Sequence, residues 1–428
     1  MKKIFALVDC NSFYVSCERA FKPELKKIPI VVLSNNDGCA ISLSKEAKKL
    51  GFKIGNPYFK IKQFEKSHGV RFFSSNYELY ADMSKRVMES LKQFSSRIEV
   101  YSIDEAFLDL SDMQISSYKD YGQQISKIIY QNTGIPVSVG IAYTKTLAKV
   151  ANHIVKKDDS YSGSLNLIGM DEKSINNLLS NHDISEVWGV GRKIALKLRK
   201  LEINTTYDLK YMNDLVAKKL LTVIGHRMVL ELRGISCINL EEIIQDKKSI
   251  ACTRSFGQYI KTLSELEEAV ATYVDRASIK LREQNSTACL MEVFIRTNHF
   301  NKFHKQYANY LMLGIAHPSS YTPYLTKIAL QGLRQIYKSG YLYKKAGVVL
   351  MGLRPGDNIQ YDLFGEVTKA SKEKEERLMK AFDNINKRFG LKTVIVASQG
   401  TKKVWKMQRE YLSPSYTTRL DQVLNVKI

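Results

Sequence analysis

Two hydrophobic periods alternate along this chain, and the points where one gives way to the other outline two mixed α/β modules. The run Ile4-Phe5-Ala6-Leu7-Val8 is continuously apolar and closes on Asp9, which predicts a strand buried on both faces. Ile30-Val31-Val32-Leu33 and Cys39-Ala40-Ile41 flank Asn35-Asn36-Asp37-Gly38, a β-hairpin closed on turn residues. Residues 42–51 follow as a helix carrying Lys45, Lys48 and Lys49 and stopped by Gly51. From Asn76 to about Phe94 the period is helical, with Leu79, Met83, Val87 and Leu91 on one face. Glu99-Val100-Tyr101 and Ala106-Phe107-Leu108 then read as the arms of a hairpin with Asp104-Glu105 at its bend. A helix near 119–132, the strand Val137–Ala142 and a helix from Lys145 to Lys157, bearing Lys145, Lys149, Lys156 and Lys157, complete a βαββαβ core with a small domain inserted at 21–74.

A helical stretch leads to the second module. Ile184-Ser185-Glu186-Val187-Trp188-Gly189-Val190-Gly191 precedes the basic helix Arg192 to Leu201 and matches a helix-hairpin-helix element, whose Gly-rich turn offers backbone N–H groups to a phosphate without reading sequence. A weaker copy lies at Val223-Ile224-Gly225-His226-Arg227, and a plain αα-turn is the alternative. Gly189-x-Gly191 is no dinucleotide fingerprint, because the third glycine and the surrounding βαβ unit are missing. No Walker A Gly-Lys exists, so a nucleotide has to be held by metal and lysines. From about 243 the pattern is strand, helix, strand, strand, helix, strand: Ser249–Tyr259, a helix from Ser264, Cys289–Arg296, Asn309–Ala316, Pro323–Lys338 and Ala346–Arg354. Ser264-x-x-Glu267 reads as the capping box of the first helix, and Leu266, Val270, Tyr273, Ala277 and Leu281 as its buried stripe. Arg254 and Arg296 on the strands are placed to follow a duplex backbone. Beyond the linker Arg354-Pro355-Gly356-Asp357 come Gln360-Tyr361-Asp362-Leu363-Phe364, a charged helix over about 369–388, and a tail containing Tyr, Ser and Pro. The fold class is α+β, multidomain.

Composition narrows the partner. The 428 residues are 44% hydrophobic and 25% charged, ordinary for a globular chain of about two to four domains. With 65 Lys and Arg against 43 Asp and Glu, the net charge of +22 favours a polyanion, nucleic acid rather than a membrane surface. No apolar run approaches the ~18 residues of a membrane span, and Ile4–Val8 is too short for a secretory segment, so a cytoplasmic protein is expected. Cysteines at 10, 17, 39, 237, 252 and 289 form no Cys-x-x-Cys pair and the histidines no zinc spacing, which predicts reduced thiols and no structural zinc.

The chemistry is concentrated in the acids. Neighbours on a straight strand point to opposite faces, so Asp104 and Glu105 serve one site only if the turn breaks the alternation; taken alone the pair reads as a solvated turn. Asp9, ending a buried strand, needs a partner or a cation and supplies the third acid. Mg²⁺ prefers oxygen ligands, and two such ions ~4 Å apart clamp an in-line displacement at phosphorus.

With these residues placed, the chain resembles the Y-family DNA polymerases, and among them the UmuC-type catalytic subunits. The resemblance rests on Val8-Asp9-x-Asn11-x-Phe13-Tyr14, Leu33-Ser34-Asn35-Asn36-Asp37-Gly38-Cys39, Ser74-Ser75-Asn76-Tyr77-Glu78-Leu79-Tyr80-Ala81-Asp82-Met83-Ser84 and Tyr101-Ser102-Ile103-Asp104-Glu105-Ala106-Phe107. Thr144-Lys145-Thr146-Leu147-Ala148-Lys149, Trp188-Gly189-Val190-Gly191 and Leu412-Ser413-Pro414-x-Tyr416-Thr417-Thr418-Arg419 extend it over nearly the whole chain. It implies a right-hand polymerase with palm at 1–20 and 75–170, fingers at 21–74, a helix-hairpin-helix thumb at 171–240, a ferredoxin-like little finger at 243–354 and a tail at 355–428, with no room for a proofreading exonuclease. It implies that Asp9, Asp104, Glu105 and the Cys10 carbonyl hold two Mg²⁺ ions, and that Tyr14, beside Phe13, is the steric gate under the sugar. Lys156 matches a triphosphate ligand, and Lys48 falls where relatives carry Arg or Lys, whereas Lys45 stands where DinB-like members have a tyrosine. Gly189, Gly191, Arg192, Gly225, Arg254 and Arg296 become DNA contacts. Gln360, Leu363 and Phe364 match a sliding-clamp motif in which Tyr361 replaces the usual Leu. Asp109 matches no ligand position and reads as structural. The implied activity is error-prone translesion synthesis from dNTPs on primer-template DNA in the bacterial SOS response, with a UmuD-like dimer and a RecA-type filament as partners and no membrane. The alternatives are a non-catalytic DNA- and clamp-binding subunit that keeps the fold, and a palm-fold nucleotide cyclase or other nucleotidyl transferase.

Overall fold

A computed structural model describes residues 2–241, 245–356, 368–390, 392–401, 403 and 405–424. Two compact units divide the chain, Met1–Ile244 with Glu410–Ile428, and Gln245–Arg409. The segment Gln360–Phe364, expected to engage a clamp, lies outside the described residues.

In the first unit β1 (Phe5–Cys10) leads into α1 (Phe13–Phe21). β2 (Ile30–Leu33) and β3 (Ala40–Leu43) pair antiparallel across a turn in which Asn36 and Asp37 take φ of 57° and 49°, a conformation that Asn and Asp tolerate better than most residues. β4 (Arg71–Ser74) joins β2 in parallel to give the order β3-β2-β4, with the short helices α2 (Lys45–Lys49), α3 (Tyr58–Ile61) and α4 (Phe64–His68) between strands. Residues 42–51 are therefore not one helix: Ser42 and Leu43 extend β3, and the Ser44 hydroxyl caps α2 by accepting from the Ala47 N–H.

The main sheet follows from α5 (Tyr77–Leu91), β5 (Ile98–Val100), β6 (Glu105–Asp109), α6 (Tyr118–Thr133), β7 (Val137–Ala142), α7 (Lys145–Lys157) and β8 (Ser164–Asn166). Its order is β5-β6-β1-β7-β8, so β1 runs in the middle, antiparallel to both neighbours. Both faces are covered. Ala6, Val8 and Cys10 pack with α1, α5 and α6, while Leu7 and Phe107 pack with α7. That double burial is why β1 reads as an unbroken apolar run rather than an alternation. Four helices follow, α8 (Glu172–Ser180), α9 (Arg192–Arg199), α10 (Thr206–Lys210) and α11 (Asp214–Leu232), the last broken at Thr222, where φ is 66°.

The second unit repeats the element order with β9 (Ile250–Ile260), α12 (Leu263–Glu283), β10 (Ser286–Thr297), β11 (Ala308–Ser319), α13 (Thr322–Ile336) and β12 (Tyr343–Met351). Its strands lie in the order β11-β10-β12-β9. The helix stripe Leu266, Val270, Tyr273, Ala277 and Leu281 is fully buried as expected. The capping box lies two residues earlier than Ser264-x-x-Glu267: Thr262 accepts from the Glu265 N–H and Glu265 accepts from the Thr262 N–H, because the overlapping Thr262-x-x-Glu265 pattern sits where the helix begins. α14 (Lys369–Phe389) is tied to α12 by a two-point Arg282–Asp383 bridge of 2.6 and 2.7 Å.

Candidate active site

The pairing of β1 with β6 sets Asp9 directly opposite Glu105, so the two side chains leave the same face of the sheet. α7 crosses that face very closely. A Cβ on Gly140 of β7 would lie 2.2 Å from the Ala148 carbonyl oxygen and 2.4 Å from the Asn152 amide nitrogen, so only glycine admits the helix at this distance. Asn152 then donates through Nδ2 to the Ser138 carbonyl at 2.6 Å, fastening α7 to the strand beneath. This seat delivers Lys156 Nζ to 2.6 Å from Asp9 Oδ1 and Lys149 Nζ to 2.9 Å from Glu105 Oε2.

Asp9 is only 4% exposed. Burial is the main force on its carboxyl; the Lys156 ammonium opposes it and the hydrogen-bonded Glu105 adds to it, leaving Asp9 pushed up to about 7. Burial also lifts Glu105, but the hydrogen bond with Asp9 and the Lys149 ammonium outweigh it and hold that carboxyl below its ordinary range. Two carboxyls thus compete for one buried site, and a cation would relieve the competition.

Asp104 stays on the adjoining turn. Its carbonyl accepts from the Cys10 N–H at 2.8 Å, and its Oδ1 accepts from the Ser102 hydroxyl at 2.6 Å. The same hydroxyl accepts from the Glu105 N–H at 3.0 Å, so Ser102 shapes the bend. Asp104 thus precedes β6 rather than lying in it, and is held against its own loop: among the described residues no three His, Cys, Asp or Glu side chains gather closely enough to hold a metal. The Cys10 side chain lies on the opposite face, in the core, where burial drives its thiol well above the usual range. Asp109, at the other end of β6, pairs with Arg97 at 3.0 Å.

The donor chemistry, though not yet a closed three-carboxylate cluster, is of the kind Mg²⁺ takes. Asp9, Glu105 and the turn of Asp104 offer oxygen atoms at the rim of a buried strand end, the hard ligands that Mg²⁺ requires.

Of the aromatic pair, Phe13 is 4% exposed and belongs to the core. Tyr14 is half-buried, stacked on Tyr80 at 4.6 Å and 17°, with Tyr77 edge-on at 6.1 Å. Burial raises the Tyr14 hydroxyl's pKa, and the neighbouring Tyr77 and then Asp104 add to it. Lys48 is exposed on α2, and Lys45 bridges to Asp159 at 2.6 Å. Lys145, read as one of a lysine set, is instead buried against Glu99 and donates to the Asn239 carbonyl at 2.9 Å.

In the helical part, Gly189 takes φ of +91° and a Cβ there would lie 2.8 Å from the Met228 methyl, whereas Gly191 has ordinary backbone and open space. Arg192 is exposed at the start of α9. Gly225 packs on Leu221 just beyond the break at Thr222. Arg296 sits opposite Lys345 on β12; Arg254 is exposed on the edge strand β9 opposite Ala346.

Sequence reasoning missed Gly140, Asn152 and Ser102. Only Asn152 had a signal: it is a polar residue interrupting the buried stripe of α7.

Similarity to known proteins follows this geometry. A family model described as impB/mucB/samB matches residues 8–153, its C-terminal domain matches 247–363, and a domain of unknown function matches 376–426. Protein UmuC of Salmonella typhimurium is 41% identical over 99% of this chain and 100% of its own. The chain belongs to the impB/mucB/samB family. Protein SamB of Salmonella typhimurium is 39% identical over the same shares of both chains. Among solved structures, a Y-family DNA polymerase chimera of Dbh and Dpo4 aligns with a TM-score of 0.65 at 23% identity, covering 82% of this chain and 99% of that one. The fold is that of a Y-family DNA polymerase. Among the described residues no helix is long and apolar enough to cross a membrane.

Proposed function

We infer that this chain is a DNA-directed DNA polymerase of the Y family that carries out error-prone translesion synthesis by two-metal-ion nucleotidyl transfer. The observation supporting the mechanism is the juxtaposition of Asp9 and Glu105 on one sheet face beneath Lys149 and Lys156. Asp9 and Glu105, with Asp104 on the adjoining turn and the Cys10 carbonyl, would hold the two Mg²⁺ ions. Bound there, Mg²⁺ supplies the positive charge that stabilises the attacking and leaving oxygens of an in-line displacement. Lys156, which pairs with Asp9, and Lys48, exposed on α2, would bind the triphosphate. The Tyr14 ring fills the space that a 2′-hydroxyl would need. Gly189, Gly191, Arg192 and Gly225 follow the phosphates of primer-template DNA, and Arg254 and Arg296 add charge on the little finger. Gln360, Leu363 and Phe364 engage a sliding clamp, and family membership supports a UmuD-like dimer and a RecA-type filament as partners in an SOS setting.

The test is extension of a primed template by the full chain with dNTPs and Mg²⁺, supplied with those partners. Extension should stop on chelation and fall by at least about a hundredfold in Asp104→Ala. An Asp104→Ala preparation that extends as the parent does removes Asp104 from the site.

A further inference from the structure

The face of Tyr14 that is turned away from solvent is backed by a layer to which the far end of the chain contributes. Tyr14 and Glu18 are one turn apart on α1 and both meet Tyr80 of α5, while Asn76, one turn before Tyr80, faces the far end of the chain. Tyr80 is fully buried, stacks beneath Tyr14, and donates its hydroxyl to Glu18 Oε1 at 2.7 Å. Ser413 donates its hydroxyl to the same oxygen at 2.9 Å. Asn76, which caps α5 by accepting from the Leu79 N–H, donates through Nδ2 to the Ser413 carbonyl at 3.0 Å, to its hydroxyl at 3.2 Å and to the Pro414 carbonyl at 3.3 Å.

Flanking contacts seat the segment. The Tyr411 N–H donates to the Ser74 hydroxyl and its carbonyl accepts from the Ser74 N–H, both at 2.9 Å. The Glu410 N–H donates to Asp37 at 2.8 Å, and the buried Tyr416 ring stacks on Phe21 at 4.7 Å and 15°. Residues 410–416 thus bridge the acidic turn of the small sheet, β4, the start of α5 and α1, a distribution that surface coverage alone does not need.

We propose that residues 410–416 form part of the sugar-selecting apparatus: Ser413, through Glu18, holds Tyr80 at the height that sets the Tyr14 ring against a 2′-hydroxyl. Ser413, Glu18 and Tyr80 are positioning residues, since none of them need touch the nucleotide. The mechanism is steric. A hydroxyl excluded by a ring is excluded only as firmly as the ring is held, and the stack with Tyr80 carries any looseness in the support to Tyr14. The support is also sensitive, because among the described residues Glu18 Oε2 is buried without a hydrogen-bond partner, so its neighbour Oε1 carries both donors that fix the carboxyl.

The inference rests on Tyr14 being the gate, and the experiment separates the two. Single-nucleotide insertion by the full chain is measured with a dNTP and the matching rNTP for the parent, Tyr14→Ala, Tyr80→Leu, Ser413→Ala and Ser413→Thr. Tyr80→Leu, which removes the stacked ring, should raise the rNTP/dNTP ratio of kcat/KM by about tenfold, and Ser413→Ala by about fivefold, the value of one lost hydrogen bond. Both rises should come from a lower KM for the rNTP, and Ser413→Thr, which keeps the hydroxyl, should discriminate as the parent does. If Tyr14→Ala relaxes selection while Tyr80→Leu and Ser413→Ala keep the parental ratio, the segment is structural and the inference is wrong. If Tyr14→Ala itself keeps the parental ratio, the gate reading fails and the inference falls with it.

Discussion

The two units are built on the same β-α-β-β-α-β order and put it to opposite uses. In the first, strand order places the opening strand β1 at the centre of a sheet covered on both faces, so the acid at its end is taken out of water. In the second, the opening strand β9 lies at the edge, and helices cover one face only, leaving Leu290, Arg296, Tyr310 and Met312 exposed on the strands. The lesson is that element order does not decide what a sheet can do. Centrality and double burial make a site where carboxyls compete for protons and cations; an edge and an open face make a surface.

The contrast can be pressed hardest at the glycines. Gly140→Ala in β7 should drive α7 off the sheet and cost about 3 kcal/mol of stability in urea unfolding, with loss of primer extension as Lys149 and Lys156 move. Gly314→Ala in β11, where a Cβ meets nothing within 4 Å, should change stability by less than about 0.5 kcal/mol. Equal costs would mean that the doubly covered sheet is no tighter than the open one.

Carboxyls give a smaller contrast. Burial is the main reason that Glu18 is pushed up from 4.5 to about 7, against the hydrogen bonds from Tyr80 and Ser413. The folded state therefore holds this proton more tightly than the unfolded chain, and ionisation removes stability as pH rises from about 4.5 through 7. Glu18→Gln should be more stable than the parent at pH 8 by about 1 to 2 kcal/mol, with the gain fading toward pH 4.5 in thermal unfolding. Glu267→Gln in the second unit, at a bridge to Arg334 whose arginine is 58% exposed, should shift stability by less than about 1 kcal/mol.

Much of this was written locally. The apolar run before Asp9, the helix stripes and the Asn-Asp-Gly turn each report burial or backbone conformation through nearby residues, and the elements they mark form where expected. The acids were legible as residues but not as a geometry: that Glu105 faces Asp9 depends on strand register, and Asp104 is held on its loop by the Ser102 hydroxyl and the Cys10 N–H. The helix at 42–51 and the capping box at Ser264 went astray because two overlapping local patterns competed and the wider fold chose between them. The division of the tail at Arg409 and Glu410 left no mark, since polar stretches of similar composition lie on both sides and it is the partners of Glu410, Tyr411, Ser413 and Tyr416 that distinguish them.

The claim on which the rest depends is that the buried pair on β1 and β6 is the seat of nucleotidyl transfer. Its most direct test is single-nucleotide insertion at saturating Mg²⁺ by Asp9→Asn and Glu105→Gln, which keep side-chain shape and remove charge, alongside binding of the primed template. Each should lose about a thousandfold in insertion while binding DNA as the parent does. Insertion at the parental rate in either variant, with the fold intact, would contradict the assignment.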